Sequence, residues 1–466
     1  MPFINTRPLP YCDDSELYMR ALNGFGMPAF LDSANHGGSN GRLDILAAAP
    51  IAHMKVENGV LSCSDNMVER FGSSICSDEF LIHIRELKEK YLPSLELVKQ
   101  EPADRQQLEL EHAGTAIAYL GYPALIGKAD FSVIDAFVGI YLWTIVLDHE
   151  ERSCELRMHP SCSATSIDQT LASIEQSLNK TAAAEPIKFC LESPFANGTS
   201  FVQYRDSFAA IKSRIDSGDC YQVNLTQSFT ARASGEPLAA YLMLRRATTA
   251  PFSAYIDWDS GALLSLSPER FVSLEKGAVL TQPVKGTRPR GESEGEDRRL
   301  ARELAASEKD RAENLMIVDL LRNDLGRVCV TGSIQVNQLF SIESFSNVHH
   351  MVSDVAGRLL PGKDALDLLS SCYPGGSITG APKLAAMEII KSVEHEARRV
   401  YCGTVFYLGA DGRFDSSITI RSLLWESGVL SCWAGGGIVA DSDCEQEYQE
   451  CFDKISNIFS ALQEYS

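Results

Sequence analysis

The alternation of apolar and polar positions divides the chain into two regions of different texture. From Met27 to Lys55 it reads strand, turn, strand: Pro28-Ala29-Phe30-Leu31 leads into a Gly-, Asn- and Ser-rich run over 34–41, and Leu43-Asp44-Ile45-Leu46 follows. Residues 77–100 place Phe80, Ile84, Leu87 and Tyr91 on one stripe and predict a helix. Buried strands are expected over 119–122 and 137–146, and a helix over 163–180. Residues 181–200, with a run of alanines, Pro186, Pro194 and Asn197-Gly198, read as a linker between a region 1–180 and a region 201–466.

Beyond the linker, glycine punctuation is denser and the helices are longer. A helix over 201–217 closes at Gly218, a strand follows over 220–229, and further strands are expected over 262–271 and 277–284. One long helix is expected over 297–324. Helices over 363–372, 382–393 and 443–462 and strands over 401–407, 416–425 and 429–434 complete the pattern. Hairpin-like strands with flanking helices, and no regular βαβ alternation, predict an α+β fold.

Two of these helices carry carboxylates where the pattern is apolar. Leu300, Leu304, Leu315, Val318, Leu321 and Leu325 form the core stripe of the long helix, but Glu313 shares a second apolar stripe with Ile317 and Leu320. A carboxylate there must be protonated, paired or bound to a cation. On the closing helix, Glu447, Glu450 and Lys454 lie beside the stripe Tyr448, Phe452, Ile455, Phe459 and Leu462. Each group alone reads as a paired or solvated face, whereas carboxylates from two helices can meet around a hard cation such as Mg²⁺.

Glycine-rich turns at Pro374–Lys383 and Ala434–Gly437 offer backbone N–H groups to anions, and the first lacks the Lys-Ser/Thr ending of a P-loop. Arg421, aligned with Ser417 and Thr419 along an apolar strand, has the chemistry of a carboxylate clamp. Lys285, in the stretch Thr281–Arg290 and pinned between Pro283 and Gly286, reads alone as a surface lysine at a strand end. In a confined site the same amine is a nucleophile.

Composition narrows the partners. The 466 residues are 45% hydrophobic and 22% charged, which is ordinary for a soluble globular chain with one or two cores. A formal charge of −20 argues against nucleic acid and obliges an anionic substrate to be held by local donors or a cation. No stretch approaches the roughly 20 apolar residues of a bilayer span. The residues from Met1 to Asp14 show no apolar signal segment, and 13 scattered cysteines suggest neither a zinc site nor a disulfide framework. A cytoplasmic protein is expected, without membrane attachment.

Five motifs then occur in one order: Ser265-Leu-Ser-Pro-Glu-Arg-Phe271, Pro283-Val-Lys-Gly-Thr287, Ala312–Leu320 with Arg322-Asn-Asp324, Pro374–Lys383 and Ala434–Ser442. In that order they resemble the chorismate-utilising enzymes, among them the anthranilate, aminodeoxychorismate and isochorismate/salicylate synthases. The resemblance covers essentially the whole chain and is strongest from Tyr204 to Leu462. It implies large antiparallel β-sheets packed as a sandwich with helices outside, as in anthranilate synthase component I, and an active site in a central cleft. Where anthranilate synthases resemble Pro-Ile-Ala-Gly-Thr, this chain carries Lys285, as does the aminodeoxychorismate branch. Asp219–Leu225 and Ala250–Ala254 are similar to that branch as well.

The resemblance implies amination of chorismate at C4. Lys285 would attack ring C2 while Glu269 protonates the departing C4 hydroxyl; ammonia would then add at C4 and expel Lys285. It implies Mg²⁺ held by Glu313 and Glu450 at the ring carboxylate, with Glu447 and Lys454 behind the metal or on the substrate. Thr379 and Gly380 would help bind the ring carboxylate, and Tyr401, Arg421, Gly435 and Gly436 would secure the substrate chiefly through its enolpyruvyl carboxylate. His350 would lie near the ring. Ammonia would come from a separate glutaminase subunit in a heterodimer, since the chain shows no Cys-His glutaminase signature.

Ser33, Asn40, Gly41, Arg42, Leu43, Pro251, Phe252 and Ser253 match the family's tryptophan pocket. Phe30-Leu31-Asp32-Ser33 departs from the Leu-Leu-Glu-Ser of feedback-regulated members, so the resemblance implies a tryptophan pocket without carrying over regulation. Three rival readings remain. Anthranilate synthase is opposed by Lys285, and isochorismate synthase by the position of that lysine. A silent chorismate- or tryptophan-binding partner is opposed by the joint presence of Glu269, Lys285, Glu313 and Glu450.

Overall fold

Two large antiparallel sheets carry the chain in the computed structural model, which describes residues 6–33, 41–64, 75–93, 112–125, 131–133, 135–345 and 348–463. The first sheet runs Thr6–Leu9, Ser153–Met158, Trp143–Asp148, Leu43–Ala47, Ala29–Asp32, Phe252–Asp257, Gly261–Ser267, Ser422–Glu426, Val429–Ile438, Gln222–Gly235 and Phe189–Leu191. The second runs Val284–Pro289, Val348–Arg358, Ala278–Thr281, Arg270–Glu275, Phe414–Ile418, Thr404–Gly409, Thr115–Leu120, Ala136–Tyr141, Ala52–Glu57 and Val60–Cys63. N-terminal strands join C-terminal ones edge to edge in both, at Ala29–Asp32 against Phe252–Asp257 and at Thr115–Leu120 against Thr404–Gly409. The fold is α+β, as the strand and helix pattern predicts.

One apolar core lies between the sheets. Trp258, which follows a strand of the first sheet and is 1% exposed, has its ring centroid 5.0 Å from Tyr119 and 6.3 Å from Phe137 of the second. Such aromatic contacts add to the burial of large apolar area that holds two sheets together. Helices flank this layered core, among them Glu308–Gly326 and the closing helix Cys444–Gln463.

Three departures from the sequence pattern matter for the site. The expected strand over 262–271 is two strands, Gly261–Ser267 in the first sheet and Arg270–Glu275 in the second, with Pro268-Glu269 as the crossing. The expected strand over 416–425 likewise divides into Phe414–Ile418 and Ser422–Glu426, crossing back at Thr419–Arg421. An unbroken apolar run gives no signal of a change of sheet. The two crossings are stitched together: Ser267 Oγ donates to Ile418 O at 2.6 Å, Ile418 N to Glu269 O at 3.2 Å and Leu266 N to Arg421 O at 3.1 Å.

The long helix expected over 297–324 is also two, Glu294–Ala306 and Glu308–Gly326. Ser307 breaks it with an extended ψ of 110° and accepts from Asp310 N through its side chain, as an N-cap serine does. Leu315, placed on the core stripe by periodicity, is exposed, whereas Ile317 on the second stripe is fully buried. Residues 181–200, expected as a linker, carry the strands Phe189–Leu191 and Ala196–Asn197, both paired with Gln222–Gly235.

Candidate active site

The crossings bring Glu269 and Arg421 together with the lysine strand. Lys285 lies in the strand Val284–Pro289, where the register to Val348–Arg358 shifts between Lys285 and Thr287. Gly286 makes this bulge with φ of +73°, and a Cβ there would stand 2.7 Å from Leu304 Cδ1 and 2.9 Å from Asp310 Cγ. The half-buried Lys285 donates from Nζ to Ser377 O at 3.2 Å.

Glu269 is buried, and burial pushes its carboxyl above the usual range. The Lys285 ammonium, a hydrogen bond from the Ser377 side chain and the Val284 backbone N–H pull the other way. Ser377 therefore lies by both predicted reacting groups, its carbonyl accepting from Lys285 and its side chain close enough to Glu269 to lower its pKa. Sequence reasoning placed Ser377 within an anion-binding turn and missed this link, because a serine among glycines signals only a turn.

Across from Glu269, the Glu313 carboxyl is also pushed up by burial, with Lys285 as the largest opposing charge, then Lys309, while Asp310 and Glu450 raise it further. Glu447, 7% exposed, is raised by burial and by Glu450, against a hydrogen bond from Ser442 Oγ to its Oε1 at 2.8 Å. Lys309 lowers both Glu313 and Glu447 and was not singled out from the sequence. Lys454 Nζ lies 2.7 Å from Glu450 Oε1 and donates to Gly435 O at 2.9 Å. A Cβ at Gly436 would stand 2.9 Å from Glu447 Oε2 and 3.6 Å from Lys454 Nζ, so a side chain there would displace these polar ends. Glu313, Glu447, Glu450, Lys454, Gly435 and Gly436 thus share one wall.

The other expected residues are placed on neighbouring elements. Thr379, fully buried, donates from Oγ1 to Gly375 O at 2.9 Å, and Gly380 pairs with Val223. His350, 5% exposed, has Nδ1 3.0 Å from Thr287 Oγ1, and burial with the Arg421 charge lowers its pKa to about 4. Among the described residues the Arg421 side chain has no hydrogen bond or ion pair, while Tyr401 lies close enough to act on its charge. A half-buried guanidinium without a carboxylate partner is a receptor for one.

The tryptophan-type residues lie elsewhere. Ser33, Arg42, Leu43, Pro251, Phe252 and Ser253 line a cavity of about 250 Å³ that also reaches Arg270 and Asp415. Gly41 is buried beside Arg42, and Asn40 lies outside the described residues. Arg270 links this cavity to the crossing, since it follows Glu269, ion-pairs with Asp415 at 3.0 Å and sits over the Phe252 ring.

Among the described residues no group of three or more His, Cys, Asp or Glu side chains is arranged to hold a metal ion. Two carboxylates facing one space fit Mg²⁺, which keeps waters and takes substrate oxygens alongside one or two protein ligands. Like-charged carboxylates with raised pKa values also favour an added cation.

Comparison with known proteins shows the family of the chain. Residues 70–460 match the chorismate binding enzyme family, and the chain belongs to it. It is 40% identical over 460 residues to aminodeoxychorismate synthase component 1 of Klebsiella aerogenes, covering 97% of each chain. It is 38% identical over 461 residues to the protein of that name from Escherichia coli K12, covering 97% of this chain and 96% of the other. Anthranilate synthase component I from Streptococcus pneumoniae TIGR4 has a similar solved structure, with a TM-score of 0.73 and 30% identity over 90% of this chain and 92% of the other.

Proposed function

We propose that the protein aminates chorismate at C4 to 4-amino-4-deoxychorismate, the step that leads toward p-aminobenzoate and folate. The observation that carries this reading is Lys285 close enough to both Glu269 and Glu313 to act on their carboxyls, in a chain whose full-length relatives bear the aminodeoxychorismate synthase component 1 name.

The residues divide the work as follows. Arg421, with Tyr401 and the Gly435-Gly436 backbone, takes the enolpyruvyl carboxylate, and the Thr379-Gly380 turn faces the ring carboxylate. Glu313 and Glu450 would hold Mg²⁺, which supplies the positive charge that an acidic protein needs to bind a dianion. Glu447 and Lys454 orient Glu450 and the substrate, and His350 borders the ring. Glu269, whose carboxyl burial pushes above the usual range, gives its proton to the departing C4 oxygen as the Lys285 amine bonds to C2. Ammonia then forms the C4–N bond, and the C2–N bond to Lys285 breaks. The enolpyruvyl group stays on the ring.

The component 1 name of the relatives fits a second subunit, and a glutaminase would supply the ammonia. The cavity at Ser33, Arg42 and Phe252 would take L-tryptophan. Purified protein given chorismate, Mg²⁺ and an ammonium salt should yield 4-amino-4-deoxychorismate by mass and absorbance. Anthranilate, isochorismate or no turnover would overturn the assignment.

A further inference from the structure

Behind the Ser377 turn stands a buried ion pair whose side chains make no hydrogen bond to the groups assigned to the substrate. The Arg398 and Glu394 side chains are 1% and 5% exposed, with Arg398 Nη2 2.7 Å from Glu394 Oε1. Arg398 donates from Nη1 to Ile378 O and from Nη2 to Asn224 O, each at 2.9 Å. Glu394 Oε1 accepts from Thr226 N at 3.0 Å and from Thr226 Oγ1 at 2.8 Å. The pair therefore grips two segments, the strand Gln222–Gly235 and the turn at Gly376–Thr379. Those segments also meet at Ser377, whose carbonyl accepts from Asn224 Nδ2 and from Lys285 Nζ, both at 3.2 Å.

We propose that Arg398 is a positioning residue: its planar fork fixes the Ile378 and Asn224 carbonyls and so holds Ser377 where it meets both Lys285 and Glu269. Its effect on the rate rests on the roles given to Lys285 and Glu269 above. An ion pair kept only for stability is replaceable by apolar side chains at little cost. Here the guanidinium makes one bond to each of two carbonyls and more to a carboxylate, a geometry that an ammonium point charge does not reproduce. Ile378 directly precedes Thr379 and follows Ser377, so a shift of its carbonyl moves the whole turn. A cavity of about 200 Å³, lined by Tyr122, Pro123, Met387, Glu394 and Arg398 among others, opens against the guanidinium. Arg398 Cζ lies 4.6 Å from the Tyr122 ring centroid.

The test uses the full chain with chorismate, Mg²⁺ and ammonium. Arg398→Lys should lower kcat on the order of 10²-fold, as small misplacements of reacting groups do, with little change in the KM for chorismate. Its high-pH limb of kcat should move upward, because Glu269 loses the hydrogen bond from Ser377 that lowers its pKa. Guanidinium ion, entering by the cavity, should restore activity to Arg398→Ala and leave the wild type unchanged. Arg398→Met combined with Glu394→Met removes both charges together, and it keeps the test open where single variants fail to fold. A folded double variant with wild-type kcat overturns the proposal, as does Arg398→Lys with an unmoved pH profile. Wild-type protein that makes no aminated product sinks the functional assignment instead, which separates the two failures.

Discussion

Lys285 and Ser377 are joined by a 3.2 Å hydrogen bond from the lysine Nζ to the serine carbonyl, while the Ser377 side chain serves Glu269. The nucleophile and the proton donor are thus referenced to one residue of a turn rather than to each other. Lys285→Ala should abolish the covalent adduct seen on intact-protein mass spectrometry after chorismate is added. Amination should fall by at least about 10³-fold, since the covalent route is closed. An adduct of unchanged mass in Lys285→Ala would move the nucleophile to another residue.

Glu269 sets a pH dependence whose sign follows from burial. Its pKa is raised, so the protonated form needed by a general acid persists to higher pH than for an ordinary carboxyl. Activity should fall as pH rises through that raised value, and Glu269→Gln should remove the limb together with most of the rate. Stability responds in the same direction: burial favours the neutral form, so the contribution is present at low pH and lost as Glu269 ionises. Glu269→Gln should therefore melt higher than wild type at neutral and alkaline pH and no higher in acid. Equal melting shifts at all pH values would show that the carboxyl is not the buried acid described.

His350 provides a test on the acid side. Its pKa is lowered to about 4, first by burial and then by Arg421, against an ordinary value of 6.5. The neutral ring is compatible with the fold above 6.5, and stability drains as pH falls from there toward 4, by up to about 3 kcal/mol. His350→Gln can keep a hydrogen bond to Thr287 and carries no titrating ring. It should lose less stability than wild type between those pH values in urea denaturation. Parallel curves for the two proteins would assign the acid transition elsewhere.

The carboxylates of this wall were legible before the coordinates, because Glu313 interrupts an apolar stripe and Glu447 and Glu450 flank one at helical spacing. Lys285 was legible only through motif order, since one lysine near a strand end has no physical mark in a sequence. What stayed hidden was the change of sheet. Gly261–Ser267 and Arg270–Glu275 share the same apolar texture, and nothing in that texture says that Pro268-Glu269 passes from one sheet to the other. The break at Ser307 could have been read, because a serine three residues before Asp310 is an N-cap signal inside a helical run. The Arg398–Glu394 pair could not, since its partners are main-chain carbonyls 20 and 174 positions away.

Glu313 and Glu450 make a metal prediction with its own pH signature. Protons compete with Mg²⁺ for a carboxylate, and the Glu313 pKa is raised, so Mg²⁺ affinity should weaken as pH falls through that value. Glu313→Gln should raise the Mg²⁺ concentration for half-maximal activity by an order of magnitude or more. Calorimetric titration of Mg²⁺ in the presence of chorismate measures the same change without turnover. Mg²⁺ binding that is equally tight in Glu313→Gln and wild type would remove this residue from the metal site.

The cavity at Ser33 and Phe252 gives the last prediction, and its neighbours decide which variant to use. Asp32 is buried against Arg245 and Tyr241, and Ser33 Oγ is held 3.2 Å from Asp44 Oδ1, so changes there break a buried polar network. Arg42 is different: its side chain is 55% exposed and pairs with Asp148 at 2.8 Å on the rim of the cavity. Asp148 is only 8% exposed and its carboxyl is held low by Arg42, so Arg42→Ala should lower the melting temperature modestly without unfolding the protein. L-Tryptophan at about 100 times its Kd should stabilise the wild type by about 2.7 kcal/mol, and Arg42→Ala should show a smaller shift at the same concentration. Arg270 lines this cavity and directly follows Glu269, so chorismate kinetics with and without tryptophan would show whether occupancy reaches the active site. A wild-type melting temperature unmoved by millimolar L-tryptophan, but raised by another aromatic amino acid, would reassign the pocket.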